Sequence, residues 1–147
     1  MMLEIFKFPI SGMFTVGVTV LSLTLASAGL AQALPPLNQE KHINNSLISA
    51  GIAEMIRQNC GSISARILLA LRKGKELEEY AMGLGYSKKE INRFIKSDVE
   101  KDRVRAAVMA YLAQNGVTEG NEETYCVLGR AEIARKSLTG QLLWSWR

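Results

Sequence analysis

The segment EETYCVLGRAEIARKS, residues 122–137, predicts a helix that carries one of only two cysteines in the chain. Asn121 precedes it as N-cap, and two glutamates follow in the first turn, where the helix dipole favours acidic side chains. The apolar spacing extends this helix to Gly140. Its expected buried face comprises Val127, Ala131, Ala134 and Leu138. The role of Cys126 in such a helix decides how the rest of the chain is expected to fold.

The N-terminal region indicates the compartment in which the cysteines fold. Residues 8–39 contain no charged side chain, and FTVGVTVLSLTLASAGLA, residues 14–31, follows Lys7. A short apolar run behind a positive charge, ending in small residues, is typical of a secretory signal peptide. We expect residues 1–33 to be removed after Ala33, with cleavage after Ala28 as the second choice. The mature domain would then comprise residues 34–147 and be periplasmic.

An uncleaved membrane anchor is the competing interpretation of the same region. An apolar stretch of about 20 residues can span a bilayer, and residues 10–30 are long enough. Glu4 also weakens the positive charge expected at the N-terminus of a signal peptide. On this interpretation the domain is anchored in the inner membrane and faces the periplasm. Both interpretations predict that the rest of the chain is exported.

Export gives Cys126 an expected partner. Cys60 is the other cysteine, and both lie in the exported part of the chain, where the compartment is oxidising. We therefore predict a disulfide between them that ties the last helix to the first. Closing a loop of about 65 residues contributes about 4 kcal/mol on the chain-entropy model.

The apolar spacing and the capping, glycine and proline residues of the remaining chain predict an all-α, single-domain bundle of about five helices without strands. The expected helices cover about residues 40–59, 62–82, 87–96, 98–115 and 122–140. Ser87 and Glu90 give the clearest start signal, a capping box. The second helix is apolar nearly all round and is expected to be central, with Gly74 at a close helix contact.

The final residues, QLLWSWR, are too apolar to be left in water. One interpretation is that they fold back over the core. The other is a docking peptide for a partner protein or a membrane surface, where Trp and Arg together are favoured. On the second interpretation Trp144 and Trp146 are the candidate partner-binding residues.

Few residues of the sequence are candidates for catalysis or for binding a metal or cofactor. His42 is the only histidine and stands apart from other ligands, so neither a metal nor another cofactor is expected, and no residue stands out as catalytic. Nucleic acid is not an expected partner outside the cytoplasm, although the net charge is +4. Carboxylates can perform acid–base chemistry without histidine. The candidates for that role are Glu54, Glu90 and Glu132.

Arg66 and Arg130 fall at the edges of apolar helix faces on a helical wheel. A buried guanidinium must be paired, which favours a structural ion pair near the disulfide. A second interpretation is an anion-binding pocket lined by both arginines. A third is that their aliphatic stems merely cover apolar surface.

The chain resembles a family of small exported helical proteins from alphaproteobacteria whose shared domain has no known function. The segments that carry the resemblance are KHINNSLI (41–48), NCGSISAR (59–66), YAMGLGYS (80–87), AYLAQNGV (110–117) and YCVLGRAEIA (125–134). The resemblance implies export and a helical domain with two cysteines, and it brings no catalytic residues. The terminal WSWR lies beyond it.

The leading functional expectation is therefore a non-enzymatic periplasmic protein with a partner-binding, assembly or chaperone-like role. One alternative is a membrane-anchored accessory subunit of an envelope complex. Another is a small carboxylate-dependent envelope enzyme, which would require a deep cleft with two close, buried carboxylates. An exposed apolar tail would favour partner binding.

Overall fold

The computed structural model describes residues 34–146, so the predicted signal peptide or anchor at residues 1–33 lies outside the described residues. A 3-10 turn at Leu37–Gln39 follows Pro35 and Pro36, and the Tyr86 hydroxyl donates a 2.5 Å hydrogen bond to the Pro35 carbonyl. The elements then run in the order α1 (Lys41–Asn59), β1 (Ile63–Ala65), α2 (Ile67–Gly83), α3 (Lys88–Lys96), α4 (Asp98–Gln114), α5 (Glu122–Ala134), α6 (Leu138–Gln141) and β2 (Leu143–Ser145).

Helices α1, α3 and α4 confirm the predicted bounds to within two residues, because local caps define their ends. The Glu40 side chain accepts a hydrogen bond from the Ile43 amide at the start of α1. Ser87 and Glu90 form the predicted reciprocal capping box at the start of α3. These signals lie within four residues of the boundary that they set, so the sequence alone reveals them.

The predicted helical fold is confirmed, since helices make up most of the described residues, but the expectation that it has no strands was wrong. Strands β1 and β2 pair antiparallel, with Ser64 opposite Trp144, and β1 occupies the start of what was predicted as the second helix. Ile63 and Leu143 are both buried, and their packing holds the paired strands on the core. Strands of three residues are too short to show a period-two pattern, and their partners lie about 80 residues apart.

The predicted fifth helix is divided in two. Helix α5 ends at Ala134, and Lys136 then adopts a positive φ of 53° that a continuing helix does not allow. Ser137 caps α6 by accepting a hydrogen bond from the Gly140 amide at 3.0 Å. A Cβ atom on Gly140 would lie 1.9 Å from the Glu132 carbonyl oxygen. Gly140 therefore permits close packing of α6 on α5 and does not mark a helix end.

The buried face predicted for this helix was also wrong, since Val127, Ala131, Ala134 and Leu138 are all exposed. The face that enters the core comprises Tyr125, Cys126, Leu128, Gly129 and Glu132. The buried face is rotated about the helix axis relative to the predicted one. The charged Glu132 lies inside, and the apolar Val127 lies in water.

The central helix of the domain is α1, which packs against α2, α4, α5, α6 and β1. Its Ile52 and Ile56 lie in the main core with Val108 and Leu112 of α4. The first helix therefore organises the core that the other elements cover.

Helix α2 lies at the periphery, and the expectation that it is central was wrong. Ala81 is its only buried side chain. A Cβ atom added at Gly74 would meet no neighbouring atom within 4 Å, so this glycine does not mark a close helix contact. None of the helices within residues 34–146 is long and apolar enough to cross a membrane.

Candidate functional site

The two cysteines lie at disulfide-bonding distance, as predicted. Cys60 ends α1 and Cys126 lies in the second turn of α5, with Sγ atoms 2.03 Å apart and Cα atoms 5.2 Å apart. Both side chains are buried. The bond holds α5 against the end of α1, immediately before β1 begins. Cys126 is thus a structural residue of the core.

Glu122 lies beside this pair. Its Oε1 accepts a hydrogen bond from the Gly61 amide at 2.8 Å, and one carboxylate oxygen lies with both sulfur atoms in a group spanning less than 4.8 Å. Sulfur atoms that are bonded to each other do not offer thiolates, which are the form that binds metals. The Glu122 carboxylate therefore serves to cap the turn at Gly61.

The C-terminal tail is both docked and exposed. Along β2 the side chains alternate, so Leu143 is 1% exposed while Trp144 on the opposite side of the strand is 42% exposed. Trp146 is 50% exposed, and the centroids of the two tryptophan rings lie 5.2 Å apart. The two interpretations of the tail are therefore compatible, because Leu143 packs into the core and the tryptophans face outward.

Apolar side chains at the start of α2 lie next to this tail. The Arg66 amide donates a 2.8 Å hydrogen bond to the Leu142 carbonyl, which places the first turn of α2 beside β2. Three side chains of α2 are exposed there, namely Ile67 at 59%, Leu68 at 84% and Leu71 at 67%. We call these three residues together with Trp144 and Trp146 the hairpin face.

The sequence predicted only part of the hairpin face. Trp144 and Trp146 were candidates because the C-terminal segment is rich in tryptophan and leucine, whereas the helix that carries Ile67 and Leu71 was expected to be central. An apolar stripe shows that a helix face avoids water, and it does not show whether that face finds a partner within its own chain. The exposed Arg66 immediately before α2 is a signal that could have revealed the solvent-facing start of this helix.

The structure does not bring Arg66 and Arg130 together by any hydrogen bond or ion pair among the described residues. Arg66 is exposed at the start of α2. Arg130 is half-buried and donates to Glu123 Oε1 at 2.5 Å, and that carboxylate is largely exposed. Arg130 thus makes a surface ion pair of modest strength, and Arg66 flanks the hairpin face.

Glu132 is the one buried carboxylate within residues 34–146, with 1% exposure. Its two oxygens accept hydrogen bonds from the Tyr111 hydroxyl, the Arg135 guanidinium and the Ser137 hydroxyl. Arg135 also donates to the Tyr111 hydroxyl at 2.7 Å. We call these four residues the Glu132 cluster. It joins α4 to α5 and to the cap of α6.

Opposing effects set the pKa values in this cluster. Burial raises the pKa of Glu132, but the hydrogen bonds from Arg135, Ser137 and Tyr111 together outweigh it and hold the pKa below its usual value. Burial and the neighbouring Glu132 carboxylate raise the pKa of Tyr111. Glu132 is therefore ionised and Tyr111 neutral near pH 7, so the carboxylate acts as an acceptor for its neighbours.

A groove of about 320 Å³ lies beside the Glu132 cluster, between α1, α4 and α6. Two further grooves run along α1, one of about 420 Å³ toward α4 and one of about 250 Å³ toward α2. Glu54 lies on the first of these and is bonded to Arg57, and Glu90 is held in its capping box. None of the three grooves holds two buried carboxylates.

Comparison with known proteins identifies the domain. The model of a family of unknown function, DUF5333, matches residues 35–144, which is most of the chain. The chain belongs to this family. No curated protein and no solved structure matches it.

Membership of DUF5333 confirms the resemblance to a domain of unknown function. The family match covers the disulfide, the Glu132 cluster and α2, and it ends at Trp144. The hairpin face is therefore built mainly from family positions, and Trp146 lies beyond the match. The expectation that the whole of WSWR lies outside the family pattern was wrong by one residue.

Proposed function

We propose that this chain is an exported, non-enzymatic protein that binds a partner through the hairpin face. One observation carries this proposal, namely that five large apolar side chains lie exposed on the first turns of α2 and along β2. Single exposed apolar residues are ordinary, but a group of them marks an interaction surface. Tryptophan is also enriched at binding surfaces, because it offers a large apolar area together with one polar N–H group.

The surroundings of the candidate carboxylates support a non-enzymatic role. Acid–base chemistry by two carboxylates needs a pair on either side of a substrate. Within residues 34–146 Glu132 is buried alone, and both of its oxygens are occupied by donors of its own chain. Glu54 and Glu90 are exposed and are bonded to Arg57 and Ser87.

Export is part of the proposal for two reasons. The family match begins at residue 35, one residue after the predicted new N-terminus Leu34. The cysteine pair at bonding distance also suits an oxidising compartment. Intact-mass spectrometry of the native protein with and without reductant tests this part. We expect a chain that starts at Leu34 and gains two hydrogens on reduction, and a full-length mass in the membrane fraction would favour the anchored subunit instead.

Binding through the hairpin face is tested with two matched pairs of substitutions in the full-length gene. One pair, Leu68→Ser with Trp144→Ser, removes apolar surface from the hairpin face. The control pair, Ile95→Ser with Val99→Ser, removes exposed apolar side chains from α3 and α4. Sedimentation of each protein in gently lysed cells of its own species measures the size of the particle that carries it.

We expect wild type and the control pair to sediment with a larger particle or with membranes, and the hairpin-face pair to sediment as a free monomer. The physical reason is that the pair removes side chains that are 84% and 42% exposed in the free protein and whose exposed surface is covered in the bound state. Free monomers for all three proteins, or unchanged sedimentation of the hairpin-face pair, would contradict the proposal.

A further inference from the structure

The residues around the hairpin face are basic. Residues 62–75 contain Arg66, Arg72, Lys73 and Lys75 and no acidic residue, and Leu142–Trp146 carries no charge. The first acid along α2 is Glu76, which pairs with Lys73 at 2.7 Å and approaches Arg72 at 3.7 Å. The segment 66–79 therefore carries four basic and three acidic residues, a net charge of +1, with the basic residues nearest the exposed apolar side chains.

Three other carboxylates lie near this surface, and each has a partner of its own. Glu78 pairs with Lys88 at 3.4 Å. Glu79 pairs with Lys75 at 3.8 Å, one turn further along α2. Glu122 accepts a hydrogen bond from the Gly61 amide at the end of the β1–β2 ribbon where Trp146 follows β2. Arg66 has no carboxylate within ion-pair distance among the described residues, so its charge is available to an external anion.

The hairpin face is small and belongs to none of the three grooves described above. A stable protein–protein interface typically takes about 20–30 residues from each side. The hairpin face offers five side chains on two short segments, the first turns of α2 and the outer side of β2. Such a surface suits shallow insertion, in which a few apolar side chains enter the boundary layer of a bilayer and basic side chains meet its headgroups.

The residue types match that layer. Tryptophan side chains are enriched at the membrane–water interface, where the ring is partly buried and the indole N–H stays hydrated. Leucine and isoleucine reach into the acyl region, and arginine and lysine bind phosphate groups. Leu68 and Trp144 supply the apolar contacts in this chain, and Arg66 lies between them along the ribbon and helix start.

From this arrangement we propose that the hairpin face binds the surface of an anionic bilayer. This inference rests on the proposed function and names the partner of the same surface. Ile67, Leu68, Leu71, Trp144 and Trp146 enter the headgroup layer, and Arg66, Arg72 and Lys75 contact anionic headgroups. Each basic side chain near an anionic surface is expected to strengthen binding by about fivefold.

The chain supplies its own probe for this binding. Its only two tryptophans are Trp144 and Trp146, so intrinsic fluorescence reports the hairpin face alone. The native protein is mixed with vesicles of phosphatidylcholine and phosphatidylglycerol at a ratio of three to one, and with vesicles of phosphatidylcholine alone. The tryptophan emission maximum and its quenching by lipids brominated on the acyl chains are recorded at low and high salt.

We expect a blue shift and quenching with the anionic vesicles, and much weaker effects with phosphatidylcholine or at high salt. Arg72→Gln with Lys75→Gln should weaken binding about 25-fold, fivefold for each charge, because both side chains are exposed in the free protein. Leu68→Ser with Leu71→Ser should abolish the blue shift. The control pair Ile95→Ser with Val99→Ser should behave as wild type.

The outcomes separate this inference from the proposed function. If anionic vesicles leave the emission unchanged while the hairpin-face pair still loses its large particle in cells, the partner is a protein and the lipid inference is wrong. If vesicles quench wild type and the Leu68→Ser, Leu71→Ser protein equally, the start of α2 takes no part in binding lipid and the proposed face is wrong. That result, together with unchanged sedimentation in cells, would overturn both proposals.

Discussion

The Glu132 cluster and the hairpin face are the two unusual regions of this domain, and they are unusual in opposite ways. Glu132 is a charged side chain in the interior, and the hairpin face is a set of apolar side chains in water. Inside the protein, hydrogen bonds from Tyr111, Arg135 and Ser137 compensate the cost of burying the carboxylate. At the surface, Leu68 is 84% exposed and Trp144, which packs against Trp146, is still 42% exposed.

This difference teaches which unusual feature points to function. A buried charge whose acceptors are all engaged by its own chain has its explanation in the fold, since removing any donor would leave an uncompensated group. Apolar side chains that stay in water have no explanation in the fold. Their free energy becomes favourable only when something outside the chain removes them from water.

The disulfide is the strongest link between the two regions, because α5 carries both Cys126 and Glu132 and Cys60 leads directly into β1. We expect Cys60→Ala with Cys126→Ala to lower the free energy of unfolding by about 4 kcal/mol, since the unfolded chain loses a constraint across 66 residues. Urea denaturation at pH 7 measures this change.

Treatment with reductant provides the control for the disulfide. It should destabilise wild type by a similar amount and leave the double variant unchanged. A loss below about 1 kcal/mol in both experiments would show that the bond contributes little to the fold.

Removal of the Glu132 carboxylate is expected to have the next largest effect. Glu132→Ala leaves the Tyr111 and Ser137 hydroxyls without their acceptor, while the half-exposed Arg135 regains water. We expect a loss of about 2 to 3 kcal/mol in the free energy of unfolding. The matched control is the exposed Glu119, whose replacement by Ala should change stability by less than about 0.5 kcal/mol. Equal effects at both positions would remove the distinction between the cluster and the surface.

The same cluster predicts the direction of a pH dependence. The pKa of Glu132 in the folded chain lies below its unfolded value of about 4.3. The contribution of the carboxylate to stability is therefore full above the unfolded pKa and is lost as the pH falls through the folded pKa. We expect the stability difference between wild type and Glu132→Gln to be constant from about pH 7 to 5 and to shrink below about pH 4.3. A difference that grew on acidification would contradict a lowered pKa.

Local signals made part of this fold predictable from the sequence. The start of α3 follows from the capping box of Ser87 and Glu90, and Asn115-Gly116 ends α4 because glycine tolerates the positive φ of 77° found there. The cysteine pairing followed from the number of cysteines and the expected compartment. Each of these inferences requires only residues that are adjacent in sequence or the number of cysteines in the chain.

The remaining features depend on contacts between distant segments, which local patterns do not encode. The pairing of Ser64 with Trp144 turned an expected helix start into a strand. The burial of Glu132 among three donors shifted the inward face of α5, since periodicity arguments place every charge outside. The exposure of Leu68 could not be predicted, because an apolar pattern is the same whether its partner is within the chain or outside it.

Leu68 and Leu143 provide the sharpest test of the comparison, and replacing Leu68 has the smallest expected effect on stability. Both are leucines in the two segments that form the hairpin face, yet Leu68 is 84% exposed and Leu143 is 1% exposed. We expect Leu143→Ala to cost about 3 kcal/mol, because it leaves a cavity in the core. Leu68→Ser should change the free energy of unfolding by less than about 0.5 kcal/mol. Thermal and urea denaturation of the free protein measure both.

A loss above about 1 kcal/mol for Leu68→Ser would mean that its own chain covers this side chain in solution. The hairpin face would then be an internal contact, like the Glu132 cluster, and its apolar residues would have their explanation in the fold. A negligible loss of stability, combined with the loss of binding expected for the pairs that contain this substitution, would instead show that Leu68 contributes free energy only in the bound state.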